Sequence, residues 1–205
     1  MIDTLKHDFI HGMVDIYHTE RNIVILSKQG NKSSITSSLS GIILENMSLF
    51  AWSLVSKHFN CKYDDNFIVR KGSSFGINCI KKDYTMSKHT DIQIYDGHTL
   101  IHGEECKTRC DNTWMGSLTE ISYSIRNFSM FCPSFSMLAL YKDSNITNTD
   151  YYCNCDLIDN IFILSGKATR GAWEFPILES KLEMYFDYIF RIITNHKETL
   201  KNHES

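Results

Sequence analysis

Asp91-Ile-Gln-Ile-Tyr-Asp-Gly-His-Thr-Leu-Ile-His-Gly-Glu-Glu-Cys-Lys107 is the stretch whose reading decides the fold. Ile92 and Ile94 alternate with polar residues, which predicts a short half-buried strand over residues 91–95. Asp96-Gly97 is a strong turn signal, and Thr99 to Thr108 then reads as a longer return strand. Residues two apart on a strand point the same way, so Glu105 and Lys107 share a face that Cys106 leaves. Folding back through the turn brings Asp91 towards them. A two-residue loop centred on Asp96-Gly97 would pair Asp91 with His102 and send Glu105 and Lys107 to the opposite face. A shared site therefore requires a wider loop around Asp96 to Thr99, or a bulge at Gly97 or Gly103.

Outward from this pair, the chain supplies helices. The polar run Asn31 to Ser40 suits a loop entering a helix, predicted over about Thr36 to His58. Leu39, Ile43, Met47, Phe50 and Leu54 fall on one face of that helix, with Ile42 and Leu49 at its border. Glu45 lies at the edge of the stripe, where its plain reading is a solvated flank. Downstream, Leu118, Ile121, Ile125 and Phe128 predict a helix over Trp114 to Phe128. Phe135 to Tyr141 and Ile161 to Leu164 are apolar runs of strand length. A last helix, about Leu178 to Leu200, puts Leu182, Tyr185, Phe186, Ile189, Ile192 and Ile193 on one face. The order predicts an α/β fold with a central mixed sheet flanked by helices. We expect one domain over residues 1–205, with a core at about 36–141 and a C-terminal strand and helix at 160–201.

Two carboxylates converging on a strand pair form an oxygen site suited to Mg²⁺, which takes few protein carboxylates and keeps water and phosphate oxygens as its other partners. A lysine beside them could orient or deprotonate an attacking water. A Glu-x-Lys triplet has little weight alone: Glu179-Ser180-Lys181 fits it too, on the last amphipathic helix and without a partnered Asp strand. The hairpin, the upstream Asp and the following helix single out Glu105 and Lys107.

In these features the segment resembles the PD-(D/E)XK nuclease superfamily, and within it the type II restriction endonucleases. There an Asp begins one strand, and Glu or Asp, any residue, then Lys sits on the next; Asp91 and Glu105-Cys106-Lys107 match those places, with Thr90 where the motif proline would stand. The resemblance covers about residues 36 to 141 and implies a restriction-endonuclease-like core. It implies Asp91 and Glu105 as metal ligands and Lys107 as the residue that positions the nucleophile. Several members carry a further acid on the first helix, for which Glu45 is the candidate, as a metal contact or a partner of Lys107.

Composition sets the limits of this reading. Apolar residues at 42% allow one sizeable core, and a formal charge of -3 excludes a chain that holds nucleic acid by bulk basicity. Any DNA contact must be a local patch. Lys81, Lys82, Lys88 and His89 lead into Asp91, Arg109 and Asn112 follow Lys107, and Lys167, Thr169 and Arg170 lie in the Gly-flanked segment 166–171. Their plain reading is solvated surface; the functional one is phosphate and base contact.

Zinc held by His98, His102, Cys106 and Cys110 is disfavoured, because residues four apart on a strand do not converge on one ion. No Gly-x-Ser-x-Gly elbow or phosphate loop occurs. No apolar run is long enough for a membrane helix, and no leader is recognisable, so we expect a cytoplasmic chain whose seven cysteines are reduced. The expected function is Mg²⁺-dependent, sequence-specific cleavage of double-stranded DNA to 5′-phosphate and 3′-hydroxyl ends, by a homodimer or, for an asymmetric site, a heteromer. Other nucleases of the same superfamily, in repair, resolution or transposition, and a non-catalytic nucleic-acid or protein-binding module are the alternatives.

Overall fold

A computed structural model describes residues 2–28, 33–72, 75–78, 85–88, 90–110, 112–126, 133–142, 158–165 and 177–204. Helix α1 spans Ile2–Lys28 and α2 spans Ser33–Tyr63. Strands β1 (Phe67–Lys71), β2 (Phe75–Asn78), β3 (Thr85–Lys88), β4 (Ile92–Asp96) and β5 (Thr99–Cys110) follow. Helix α3 (Asn112–Arg126), strands β6 (Ser134–Lys142) and β7 (Asn160–Ile163), and helix α4 (Glu179–Glu204) complete the order. The fold is α/β, as the periodicities predict. Five strands form a mixed sheet in the order β1-β4-β5-β6-β7. β4 pairs antiparallel with β1 and β5, whereas β5, β6 and β7 run parallel. Parallel neighbours need a crossover, which α3 supplies between β5 and β6. β2 and β3 make a separate two-stranded ribbon.

Helices α1, α2 and α4 cover one face of the sheet. Phe9, Met13, Leu44, Met47, Trp52, Val55, Ile92, Ile94, Leu138, Tyr185 and Ile189 are fully buried there. On the other face α3 packs Leu118 and Ile125 on Leu100, Phe135, Met137 and Ala139, a smaller core. Burying one such apolar side chain contributes about 1.5–3 kcal/mol, so the three-helix face dominates stability.

α2 extends past both predicted ends, and its buried stripe is rotated from the predicted one. Ile43 and Met47 are buried as expected, but Leu44, Ala51, Trp52, Val55 and Phe59 replace Phe50 and Leu54, which are only partly covered. The reason is that α2 lies between α1 and the sheet and is apolar on more than one side. α1 and β1 to β3 were not among the predicted elements. Among the described residues Cys61, Cys106 and Cys110 are free thiols, and no helix is long and apolar enough to cross a membrane.

Candidate active site

The β4–β5 hairpin builds the site through its register. Gly97 and His98 form the turn between the paired residues Asp96 and Thr99, and Gly97 has φ +56°. That conformation favours glycine at the first central position of a tight hairpin turn. Tyr95 pairs with Leu100, but Ile94 pairs with His102, so Ile101 is extra and the register shifts by one. The bulge is the required feature, although it lies neither at Gly97 nor at Gly103, and the loop is not widened. Moving a two-residue loop one step along the chain does not change which residues share a face; a single extra residue does. Gly103 has a different role. A Cβ there would come within 2.2 Å of Ile125, so its missing side chain admits α3.

After the bulge Ile92 faces Glu104 and Gln93 faces Gly103, which sets Asp91 opposite Glu105. Lys107 Nζ lies 2.6 Å from Glu105 Oε2 and 3.1 Å from Asp91 Oδ2. The backbone N–H of Cys106 donates to the same Asp91 oxygen at 2.7 Å. At the position of the motif proline, buried Thr90 donates from Oγ1 to the Ile92 carbonyl at 3.1 Å, bracing the turn into β4. The Glu105 side chain is 4% exposed, against 15% for Asp91 and 19% for Lys107, so the cluster opens to solvent through the last two. Burial first, then the neighbouring Asp91 charge, pushes the Glu105 carboxyl up to about 7, with Lys107 opposing. Burial works against the Lys107 charge, but Glu105 and Asp91 outweigh it and hold its pKa above the ordinary lysine value. Two carboxylates this close to each other favour a cation between them, and the ammonium of Lys107 lies within reach of both.

Among the described residues no group of three His, Cys, Asp or Glu side chains is gathered to hold a metal. Asp91 and Glu105 are two carboxylates on one face, and a Mg²⁺ ion held by them would need water or phosphate oxygens at its other positions.

Glu45 is placed apart from these three. Its Oε2 lies 3.9 Å from Lys71 Nζ, and Lys71 also donates to Asn46 Oδ1 at 3.2 Å. Lys71 pairs with Ile92, and Ile92 with Glu104, so this contact lies on the α2 face of the sheet, opposite Glu105. Arg109 continues β5 beyond Lys107, opposite Tyr141 of β6. Lys88 ends β3 and Asn112 begins α3, with their side chains outside the described residues, as are Lys81, Lys82, His89, Lys167, Thr169 and Arg170 altogether. Glu179-Ser180-Lys181 opens α4, away from any strand pair.

The sequence reading missed two groups. Behind the site, Glu104 Oε1 accepts from Ser48 Oγ at 2.5 Å and Tyr185 OH at 2.6 Å, and Oε2 accepts from Ser136 Oγ at 2.7 Å. His102 extends this buried chain, with Nε2 3.0 Å from Ser136 Oγ, Nδ1 2.6 Å from Ser134 Oγ, and its ring stacked on Trp52 at 4.4 Å. Burial raises the Glu104 pKa and lowers that of His102 to about 3. Beside the site, Arg70 of β1 pairs with Gln93 and lies over the Tyr95 ring. Strand parity from Asp91 to Gln93 and Tyr95 was the available signal for that group.

No family model matches this chain, and no curated protein matches it. Among solved structures, the native A2B2 tetramer of BbvCI, determined at low resolution, is similar over 96% of this chain and 91% of that chain, with 12% sequence identity and a TM-score of 0.42.

Proposed function

We propose that the chain is a Mg²⁺-dependent endonuclease of double-stranded DNA with the site Asp91, Glu105 and Lys107, acting as a type II restriction enzyme. The observation that carries this reading is the bulge at Ile101, which puts Asp91 and Glu105 on one face with Lys107, whose Nζ lies 3.1 and 2.6 Å from their carboxylates. A bulge that leaves two partly or fully buried carboxylates and a lysine together at the end of β4 has a cost in folding that an ordinary hairpin avoids.

Asp91 and Glu105 would hold the ion, and Mg²⁺, when bound, supplies Lewis acidity to a phosphodiester and neutralises its developing charge. The Cys106 N–H fixes one Asp91 oxygen by a bond of 2.7 Å and so presets the carboxylate. Glu105, with a pKa of about 7, gives up its proton readily when positive charge arrives. Lys107, with three N–H donors, would orient a water against phosphorus while the scissile oxygen leaves. Retention of phosphate on the 5′ side gives 5′-phosphate and 3′-hydroxyl ends. A two-fold symmetric target would call for a homodimer, and an asymmetric one for a heteromer.

The test is incubation of phage and plasmid DNA with Mg²⁺ and with EDTA. Discrete fragments that need Mg²⁺ are the expected result. Smears or end-dependent loss would leave a nuclease of another kind, and absence of metal-dependent cutting would reject the enzyme reading in favour of a binding module.

A further inference from the structure

Among the described residues the site face carries, besides Arg109 on β5, a further charged group that the proposed chemistry does not use. Arg70 lies near the end of edge strand β1 and is exposed, and among the described residues it has no carboxylate partner. Register places it: Arg70 pairs with Gln93, and Gln93 with Gly103, so all three share the face of Asp91, Glu105 and Lys107. One strand spacing sideways and two residues along the sheet put its Cα about 8 Å from that of Asp91.

The guanidinium is held in place. Its Cζ lies 5.1 Å from the centre of the Tyr95 ring, and Tyr95 OH donates to Gln93 Oε1 at 3.0 Å. Gln93 is itself only 1% exposed. A buried amide thus fixes a tyrosine, and the tyrosine ring lies within cation–π reach of the arginine. A guanidinium held over a ring in this way keeps N–H donors for other acceptors, and its fork matches two phosphate oxygens. Lys71, the next residue, turns to the other face and is engaged by Asn46 and Glu45, so it does not duplicate this role.

We propose that Arg70, held over Tyr95, binds the phosphodiester backbone of nucleic acid at the phosphate next to the one held at Asp91 and Glu105. This rests on the nuclease reading for the position of the bound strand. It gives the acidic site a cation on its β1 side that fixes strand register without reading bases.

Binding of a short mixed-sequence DNA duplex in Ca²⁺, without cutting, tests it across a salt series. Arg70→Gln should weaken binding about 10-fold and lower the slope of log K against log salt by about 0.9, the value for one phosphate contact. Arg70→Lys keeps the charge, so it should keep the slope yet lose part of the affinity, because an ammonium cannot offer the fork. In Mg²⁺, Arg70→Gln should raise KM and leave kcat nearly unchanged. Wild-type binding with the same affinity and slope in Arg70→Gln would overturn the proposal and leave the nuclease reading standing. Wild-type binding that depends on Arg70 with no cutting in Mg²⁺ would do the reverse. Absence of duplex binding by the wild type at low salt would overturn both.

Discussion

Glu104 and Glu105 are neighbours on β5, and the sheet sends them to opposite environments. Glu104 is fully buried against α2 and α4, where three hydroxyls donate to it and, among the described residues, the group next to it that could carry positive charge is His102 at 4.0 Å. Glu105 is nearly as buried, but beside it lie a second carboxylate and a lysine, and through them solvent. Burial raises both pKa values. What differs is the kind of neighbour: hydroxyls satisfy lone pairs and hold a strand in place, whereas a carboxylate and an ammonium leave a charge distribution that a metal and a phosphate can complete. Depth of burial and a shifted pKa therefore do not separate a structural acid from the acid proposed for catalysis here.

The largest effect should come from the Glu105 side. Lys107→Ala, Asp91→Ala and Glu105→Ala should each lower the rate of DNA cutting by about 100-fold or more while the circular dichroism spectrum stays native. Wild-type rates in Lys107→Ala would remove its role. The mirror experiment is Glu104→Ala, which leaves Ser48, Ser136 and Tyr185 without their acceptor and opens a cavity. A loss of about 2–4 kcal/mol in stability is expected from urea melts, with cutting per folded molecule close to normal. A stable but inactive Glu104→Ala would break the division between the two acids.

A smaller, pH-dependent effect belongs to His102. Its folded pKa of about 3 lies below its ordinary 6.5, so the neutral ring's contribution is fully present above 6.5 and is lost as pH falls from there towards 3. The limiting slope is about 1.4 kcal/mol per pH unit. Glu104, raised by burial, takes up a proton with the opposite sign and offsets part of the loss. Urea midpoints between pH 7 and 4.5 should therefore fall less in His102→Gln than in the wild type, and equal falls would show that other groups control acid unfolding. The smallest effect is expected at Glu45, whose carboxylate pairs with Lys71 on the face opposite the site. Glu45→Ala should change cutting by about twofold, the size of an ordinary surface substitution. A drop comparable to that of Glu105→Ala would bring Glu45 into the proposed metal site after all.

The hairpin, α3 and α4 were legible because each keeps a clean period, and β6 and β7 because they are apolar runs of strand length; β6 reads as such a run because Phe135, Met137 and Ala139 face α3 while Leu138 and Leu140 face the other helices. The sequence was less informative where two layers overlap. α2 is covered by α1 and by the sheet, so its apolar residues surround the helix and the predicted stripe came out rotated towards Leu44 and Trp52. α1 buries Leu5, Phe9, Met13 and Tyr17 at steps of four, with His and Asp residues along its exposed side. At the site, Asp91, Glu105 and Lys107 could be picked out with the need for a bulge, but its position could not. That depends on where the turn closes and on which residue of β5 is left unpaired, and the Asp96-Gly97 signal decides neither. The polar chain through Glu104 was hidden for a different reason, since Ser48, Ser136 and Tyr185 come from three other elements.

The extra residue at Ile101 also fixes which changes of length the gene can tolerate. Loops usually accept an added or missing codon, and a codon lost at Ile101 would leave Leu100 opposite Tyr95 and His102 opposite Ile94 with nothing unpaired between them. Asp91 would still lie opposite Glu105, so the two faces survive when the bulge and its extra residue go together. Smoothing the bulge while every residue stays is a different event: Glu104 would then lie opposite Asp91, and Glu105 and Lys107 would turn into the helix-covered core. The Ile101 codon can therefore be lost with the site kept on its face, whereas a codon lost beyond it, between His102 and Glu105, would exchange the two faces at once.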